Sequence, residues 1–303
     1  MIHLLALAGI LAISFSAIFV RLADVSPDTA SFFRAAYALP ALLLVWLAFR
    51  KRDRRTPRER LLAFGAGLFL ALDFAFWHRA IEDIGAGLAT VIGNVQVVFV
   101  GLFAWLFLRE RPTRLAFVLV PVVFLGVVLI SGLGAADAFG KNPLAGVWFG
   151  ILTALMYTAF LMLLRASNRA LSPPGGPLFD ATLGALIGVS IIAPLFDSEF
   201  SAVPHWPAHG WLVALALVAQ VAGWLLISWA LPRLPSLETS VMLLLQPMLT
   251  VLWAYLLFSE VLSLIQWLGV ALVLGGVATL AARGSVEERP GAPPVERETA
   301  LQQ

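Results

Sequence analysis

Asp73 lies deep inside a long apolar stretch, where a carboxylate is costly. It stands twelve residues after Leu61, which is about 18 Å along an α-helix. An ionised carboxylate at such a depth in a membrane costs about 2.5–3.5 kcal/mol, so it needs a proton, a partner or water. Asp73 could therefore bind a substrate ammonium group or take up a proton, with Trp77 one helical turn away as an aromatic wall. The alternative is that it caps a neighbouring helix or hydrogen-bonds to Trp77 or a hydroxyl.

Polar and aromatic residues also recur at helical spacing in another apolar stretch. Gln220, Trp224 and Ser228 follow one another at intervals of four residues, so they share one face of a helix. Hydrogen bonding between neighbouring helices is an alternative role for Gln220 and Ser228. We expect this face to line a cavity with the corresponding face 150 residues earlier, which is formed by Leu70, Phe74 and His78.

Three further stretches contribute candidate lining residues. Thr90 and Asn94 share a helix face beside Gly93, which allows a bend or a close backbone approach. Tyr157 is bulky enough to form a pocket wall, whereas small hydroxyl residues such as Ser14 also suit packing between helices. The candidate binding residues are Asp73, Phe74, Trp77, His78, Asn94, Tyr157, Gln220, Trp224 and Ser14.

The composition places these residues in a membrane. Of the 303 residues, 60% are hydrophobic and 13% are charged, and the mean hydropathy is +0.92. Because the sequence contains no cysteine, disulfides and thiolate metal sites are excluded, and we expect no metal or other cofactor. We expect an all-α membrane protein with ten transmembrane helices, at residues 3–20, 30–49, 61–80, 86–108, 115–132, 144–164, 178–195, 211–230, 237–258 and 263–282.

The sequence also contains an internal repeat. Residues 80–129 align without a gap on residues 230–279. With five spans in each half, the second half must enter the membrane from the opposite side, so the two repeats are inverted. We expect a first repeat at 1–136, a second at 143–282 and a disordered cytoplasmic tail at 283–303. Inverted membrane repeats are typical of secondary transporters that work by alternating access.

The distribution of basic residues predicts the orientation in the membrane. If the N-terminus is cytoplasmic, sixteen of the twenty Lys and Arg residues fall on the cytoplasmic side. Both termini are therefore expected in the cytoplasm. The basic run from Arg50 to Arg60 is interpreted as a segment that sets this topology, and a nucleic-acid or lipid patch is the alternative. Only Arg21, Arg34, Arg79 and Lys141 fall on the outer side.

Polar residues shared by the two repeats suit structural and gating roles. Gln96 aligns with Gln246, and we expect the pair to form an interhelical bond near the symmetry axis. Glu110 and Glu260 align at helix corners on the inner and outer sides, where capping of the next helix is the favoured role. The gating or structural candidates are Gln96, Gln246, Glu110, Glu260, Gly93 and Pro247.

Together these features resemble a known family. Arg34 within SFFRAAYALPALLL, and the segments 71–113 and 229–277, are similar to the EamA type of drug/metabolite transporter, and the resemblance covers about residues 3–282. It implies two five-helix halves and transport of small metabolites. Bacterial members are often amino-acid exporters, including the YddG-like exporters of aromatic amino acids. The frequent Pro of the family's fourth helix is Val97 here, and its counterpart in the ninth helix is Pro247.

Missing features weigh against other functions. We expect no basic residue in the middle of a span, which disfavours phosphorylated substrates. The sequence has no H-E-x-x-H or G-x-S-x-G motif, which disfavours an intramembrane enzyme. A channel is disfavoured as well, because no ring of like charges is visible.

The function that fits best is an alternating-access carrier in the bacterial inner membrane. We expect it to export small organic metabolites, with neutral or aromatic amino acids as the best match, because ring surface and polar groups occur together. A permease for other metabolites or drugs is the alternative, and a multi-pass membrane enzyme is a more distant one. The expected partners are a small-molecule substrate and membrane lipid, without nucleic acid, and the protein is expected to be a monomer.

Overall fold

The computed structural model describes residues 1–108, 114–130, 139–168, 172–203, 205–234 and 236–287. Within those ranges the chain is almost entirely helical and contains no strand. A π-helix (Leu215–Gly223) joins α9 to α10. The α-helices are α1 (Ile2–Ser14), α2 (Ser16–Ala23), α3 (Pro27–Phe49), α4 (Pro57–Gly93), α5 (Gln96–Leu108), α6 (Arg114–Ile130), α7 (Pro143–Ala166), α8 (Gly175–Phe196), α9 (Ala208–Ala214), α10 (Trp224–Ala230), α11 (Ser236–Phe258) and α12 (Leu264–Glu287).

These helices account for the ten predicted spans. The first span is α1 with α2, and the eighth is α9, the π-helix and α10. Helix α4 contains the third span and the start of the fourth, which α5 completes. Among the described residues, six helical segments are long and apolar enough to cross a membrane, and shorter apolar helices lie at Leu115–Ile130, Leu245–Phe258 and Leu264–Leu280. The prediction of an all-α, multi-pass fold is confirmed.

Three of the spans begin with the same local signal, a capping residue followed by proline. Ser26, Thr56 and Asn142 each accept a hydrogen bond from the backbone N–H three residues later, at 3.3–3.4 Å. The proline that follows each cap has no N–H to leave unpaired, and its fixed φ suits the first helical position. The sequence therefore sets where α3, α4 and α7 begin.

The helix contacts repeat between the two halves. The third span packs against the sixth and seventh, and the eighth span, its repeat mate, packs against the first and second. The second and seventh spans, which are mates of each other, also pack together, as do the fifth and tenth. Exchanging the halves therefore reproduces these contacts, which is the arrangement expected of a duplicated fold.

A loop on the predicted cytoplasmic side holds the two halves together. Arg55 pairs with Asp53 and with Asp180 of α8, each at 2.9 Å, and Arg60 pairs with Asp180 at 3.0 Å. Burial tends to raise the pKa of Asp53, but hydrogen bonds from Arg55 and Trp46 bring it below its usual value. Part of the basic run at 50–60 thus forms specific ion pairs between the halves.

Glycines allow the closest helix contact, between α4 and α8. A Cβ atom added to Gly67 would lie 2.0 Å from the carbonyl oxygen of Ala181, and one added to Gly184 would lie 2.1 Å from that of Phe64. The Gly-x-x-x-Gly motif that starts at Gly184 therefore packs within the chain, and so does the one that starts at Gly146, which faces Ile84. Such small residues let membrane helices approach backbone to backbone.

Replacement of Gly67 should test this contact. We expect Gly67→Ala to lower the free energy of unfolding by about 1–3 kcal/mol, because the methyl group forces α4 away from α8. Gly65→Ala is the matched control, since a Cβ there meets no atom within 4 Å. Thermal unfolding in detergent, followed by tryptophan fluorescence, measures both variants. Equal melting temperatures for the two would contradict the close contact.

Candidate functional site

A cavity of about 340 Å³ is lined by residues from both halves. Its size is near the lower end of the range of about 300–1,000 Å³ that is usual for small-molecule sites. Six of the nine candidate binding residues line it, and so do three of the gating or structural candidates. The six are Asp73, Phe74, Trp77, Asn94, Tyr157 and Trp224, and the three are Gly93, Gln96 and Gln246.

The cavity also contains a cation, Arg34, which the sequence did not identify as a site residue. Arg34 lies in α3 and is only 5% exposed. Its Nε donates a hydrogen bond of 2.9 Å to Oε1 of Gln220. Its guanidinium carbon lies 4.1 Å from the ring centre of Phe74 and 5.5 Å from that of Trp77. The expectation that no basic residue reaches the interior of the spans is therefore wrong.

Asp73 supplies an opposite charge in the same cavity. It is 7% exposed, and its carboxylate forms no hydrogen bond or ion pair with any residue that the structure describes. The alternatives that Asp73 caps a helix or bonds to Trp77 thus have no support in the described contacts. Arg34 and Asp73 form no ion pair with each other, so the cavity presents a guanidinium and a carboxyl group that are both available to a ligand.

Gln220 supports the cavity without lining it. The residue is 2% exposed and uses its side-chain carbonyl to hold Arg34. It lies in the π-helix, whose wider turns shift side chains relative to a regular α-helix. The prediction that Gln220 shares a cavity-lining face with Trp224 is wrong for this reason.

His78 and Ser14 also lie outside the central cavity. Nδ1 of His78 is 2.7 Å from Oγ of Ser31 and 3.0 Å from the carbonyl oxygen of Pro27, so the ring is fixed beside α3. Ser14 donates to the carbonyl oxygen of Leu11 and accepts from Nε1 of Trp253 at 3.1 Å. Neither residue lines the central cavity, so both predictions are wrong for that cavity: Ser14 is engaged in helix packing, and His78 lines the separate outer hollow, where its Nε2 is buried without a hydrogen-bond partner among the described residues. Ser16, two residues further on, lines the cavity instead.

Gln96 and Gln246 both reach the cavity but do not form the predicted interhelical bond. No hydrogen bond joins their side chains, although both residues lie within the described ranges. Oε1 of Gln96 is buried without any partner. Nδ2 of Asn94 donates to the carbonyl oxygen of Thr90 at 2.8 Å, and the side-chain carbonyl of Asn94 stays free.

The fourth and ninth spans both lose regular backbone hydrogen bonding beside the cavity. The fourth is broken at Asn94 and Val95, between α4 and α5. The ninth is continuous, but Pro247 has no N–H to donate to Leu243 four residues earlier. Gly93 is the repeat mate of Leu243. The backbone hydrogen bonding of the two spans is therefore weakened at equivalent positions, by a helix break in the fourth and by a proline in the ninth. These interruptions are natural places for bending.

Glu260 joins the two halves on the predicted outer side. It is 3% exposed and accepts hydrogen bonds from the backbone N–H groups of Ala86 and Gly87 at 3.0 and 3.2 Å. Arg21 pairs with it at 2.9 Å. Burial raises the pKa of Glu260, and the two backbone bonds with the charge of Arg21 act in the opposite direction. The carboxylate therefore depends on these three partners.

Glu260 caps a helix, as predicted, but a different one from the helix expected. It does not cap α12, which follows it. The backbone of α4 turns at Gly85, where φ is +81°, and the capped N–H groups belong to the new helical segment that starts there. Glycine adopts this φ readily, and a Cβ there would lie 2.6 Å from Oε2 of Glu260. Glu110, the repeat mate of Glu260, lies outside the described residues.

The central cavity extends toward the predicted cytoplasmic side. Leu161 and Val277 line it near the cytoplasmic ends of their spans. On the outer side the halves are joined by Glu260 and by a hydrogen bond of 3.1 Å from the N–H of Asp28 to Oδ2 of Asp197. A separate hollow of about 600 Å³ lies on that outer side. We interpret the conformation as open toward the cytoplasm.

Comparison with known proteins agrees with this architecture. A family model described as EamA-like transporter family matches residues 1–132 and 144–282. The uncharacterized transporter YxxF of Bacillus subtilis (strain 168) is 25% identical over 256 residues, which are 83% of this chain and 80% of the relative. CMP-sialic acid transporter 1 of Arabidopsis thaliana is 27% identical over 202 residues, which are 61% of this chain and 57% of the relative.

A solved crystal structure has the same fold. Its TM-score is 0.61 at 19% identity, and the match covers 92% of this chain and 97% of that one. The family model matches most of both halves, and an uncharacterized transporter of Archaeoglobus fulgidus is 26% identical over 86% of this chain and 88% of its own length. The chain therefore belongs to the EamA-like transporter family and is a multi-pass membrane transporter of small molecules, not an enzyme.

Proposed function

We propose that the protein exports neutral amino acids, aromatic ones among them, across the bacterial inner membrane. The observation that carries this proposal is the presence of Arg34 and Asp73 in one cavity, each without an ion-pair partner in the part of the chain that the structure describes. An amino acid carries an ammonium group and a carboxylate on adjacent atoms of one small molecule. The two protein charges match these groups in sign and in number.

The energetics favour a zwitterion over a singly charged ligand. A buried charge without a partner is costly, and a ligand that pairs only one of the two leaves the other uncompensated. The unpaired N–H groups of Arg34 can hold a carboxylate in a bidentate manner. Asp73 can accept hydrogen bonds from an ammonium group. A neutral amino acid satisfies both and leaves the net charge of the cavity unchanged.

The rest of the lining suits a small organic side chain. Tyr157 and Trp224 present rings 6.2 Å apart in an edge-to-face arrangement. They provide an apolar wall opposite the polar groups, as is usual in small-molecule sites. A nucleotide sugar, the class of substrate in the name of the Arabidopsis thaliana relative, could pair its phosphate with Arg34 but would offer no ammonium group to Asp73. That mismatch favours amino acids.

Export also fits the conformation and the gate. A cavity that is open toward the cytoplasm can load a cytoplasmic solute, and release then requires the outer closure to separate. We assign this closure to Glu260, which joins the start of the fourth span to Arg21 of α2. The cavity is complete within a single chain, so a monomer suffices for transport.

Reconstituted protein should distinguish the two charge roles. We expect labelled neutral amino acids to enter liposomes that contain the protein faster than empty ones. Arg34→Gln and Asp73→Asn should each slow this uptake about tenfold or more, because each removes a charged hydrogen bond to the substrate. Amino-acid amides, which lack the carboxylate, should compete poorly with the parent protein. So should N-acetyl amino acids, which lack the ammonium group.

Two control variants change the same types of residue away from the cavity. Arg165→Gln alters an exposed arginine at the end of α7, and Glu199→Gln alters an exposed carboxylate on the outer side. Both should transport like the parent. If sugars, nucleosides or CMP-sialic acid cross and no amino acid does, the proposed substrate class is wrong. Unchanged uptake by both Arg34→Gln and Asp73→Asn would refute the charge assignment.

The gate can be tested by thiol labelling, since the sequence has no cysteine. Val97→Cys introduces a single thiol into the cavity lining. We expect a membrane-impermeant maleimide outside intact cells to label it slowly. Adding Glu260→Ala should speed the labelling about fivefold or more, because the loss of a helix cap costs about 0.5–2 kcal/mol and favours the outer-open state.

The matched background for this test is Glu199→Ala, which removes an exposed carboxylate on the same side of the membrane. Its labelling rate should equal that of Val97→Cys alone. A membrane-permeant maleimide should label all three proteins equally. Slow labelling from outside in the Glu260→Ala background would show that Glu260 does not close the cavity.

A further inference from the structure

The cavity contains a second set of polar residues, separate from Arg34 and Asp73. Ser16, Asn94, Gln96 and Gln246 line it from the first, fourth and ninth spans, whereas the charged pair belongs to the second and third. The two sets therefore lie on different helices of the same cavity. We call these four residues, Ser16, Asn94, Gln96 and Gln246, the amide group, because three of them have amide side chains.

Much of the hydrogen-bonding capacity of the amide group is left unused within the described residues. Oγ of Ser16 and Oε1 of Gln96 are buried and have no partner among the described residues. The side chain of Gln246 forms no hydrogen bond there either, and Asn94 uses only its Nδ2. An unpaired buried polar atom costs about 1–3 kcal/mol, so its persistence calls for an explanation.

Helix packing does not supply this explanation. Most of the neighbouring buried hydroxyls donate to a carbonyl oxygen of their own helix, as is usual for Ser and Thr in membrane helices. Ser14, Thr90, Thr158 and Thr250 all do so, at 2.8–3.0 Å. Ser16 lines the cavity and does not. A ligand in the cavity would satisfy it.

The chemistry of the amide group defines what it can bind. The free side-chain carbonyls of Asn94 and Gln96 accept hydrogen bonds, and the hydroxyl of Ser16 both donates and accepts. A ligand group that matches them offers a donor and an acceptor without a net charge. Hydroxyl and carboxamide groups have this property, and alkyl and phenyl groups do not.

The aromatic residues of the cavity also favour a polar substrate side chain. The rings of Phe74 and Trp77 already face the guanidinium of Arg34. Their faces stabilise that cation, so they are less available to stack on an aromatic substrate. Tyr157 and Trp224 remain as walls. The lining therefore provides more unsatisfied hydrogen-bonding groups than free ring faces.

We propose that the preferred substrates are amino acids with a hydroxyl or carboxamide side chain, and that Gln96 and Ser16 select them. This inference rests on the proposed function, because it assumes that Arg34 and Asp73 hold the α-carboxylate and α-ammonium groups. The amide group then contacts the substrate side chain. A site built to hydrogen-bond a substrate hydroxyl discriminates strongly against an analogue that lacks it, since its own polar groups stay unpaired.

Threonine and valine provide the test, because they have nearly the same shape and differ by one hydroxyl group. We expect full-length protein in liposomes to take up labelled L-threonine about tenfold or more faster than L-valine. Gln96→Met and Ser16→Ala should each bring the ratio toward one by slowing threonine uptake while valine uptake is kept or increased. Ser190→Ala is the matched control, since that exposed hydroxyl bonds only to Leu186 of its own helix.

The outcomes separate this inference from the proposed function. Equal uptake of threonine and valine by the parent protein would overturn the inference and leave amino-acid transport intact. An equal loss of both substrates in well-folded Gln96→Met and Ser16→Ala would place these residues at the shared α-ammonium group, and would also overturn it. If no amino acid is transported, the proposed function itself fails. Size-exclusion profiles identify misfolded variants, and the parent ratio decides the matter without any variant.

Discussion

The interior of a bilayer offers no hydrogen-bonding partner to a backbone N–H or C=O group, so helices can be interrupted there only where the protein supplies one. Where α4 turns between the third and fourth spans on the outer side, Glu260 provides such a partner and accepts from Ala86 and Gly87. Because the acceptor comes from the second half and the N–H groups from the first, the same contact joins the two halves. The break at Asn94 then falls one short helix further on, beside the cavity.

The buried guanidinium of Arg34 is likewise stabilised by protein groups in place of water. Arg34 is held by the carbonyl of Gln220 and by two ring faces, and it forms no direct ion pair with a carboxylate of the described residues. Direct pairing with Asp73 would have neutralised both charges and filled the centre of the cavity. Because neutral groups hold Arg34, both Arg34 and Asp73 stay available to a ligand. Burying them without an ion-pair partner costs free energy, which a ligand of matching charges would offset.

The sequence predicted those features that follow from local rules. Composition and span length identified the helices, and a lone carboxylate in an apolar run revealed Asp73. Arg34 was missed because it lies seven residues after Pro27, and tertiary contacts decide whether such a side chain turns outward or inward. Gln220 was misplaced because the prediction assumed regular α-helical turns. Ser14 and Ser16 have the same chemistry, and only packing distinguishes them.

The corner at Gly85 has a consequence for how the chain is made. Helix α4 passes from the third span to the fourth with no loop between them, and Glu260, which caps the corner, lies 175 residues further along the chain. During synthesis the N–H groups of Ala86 and Gly87 therefore lack this acceptor until almost the entire second half has been translated. Until then the corner between the third and fourth spans lacks its hydrogen-bond acceptor. The hairpin that these spans form should therefore insert early and reach its final conformation late.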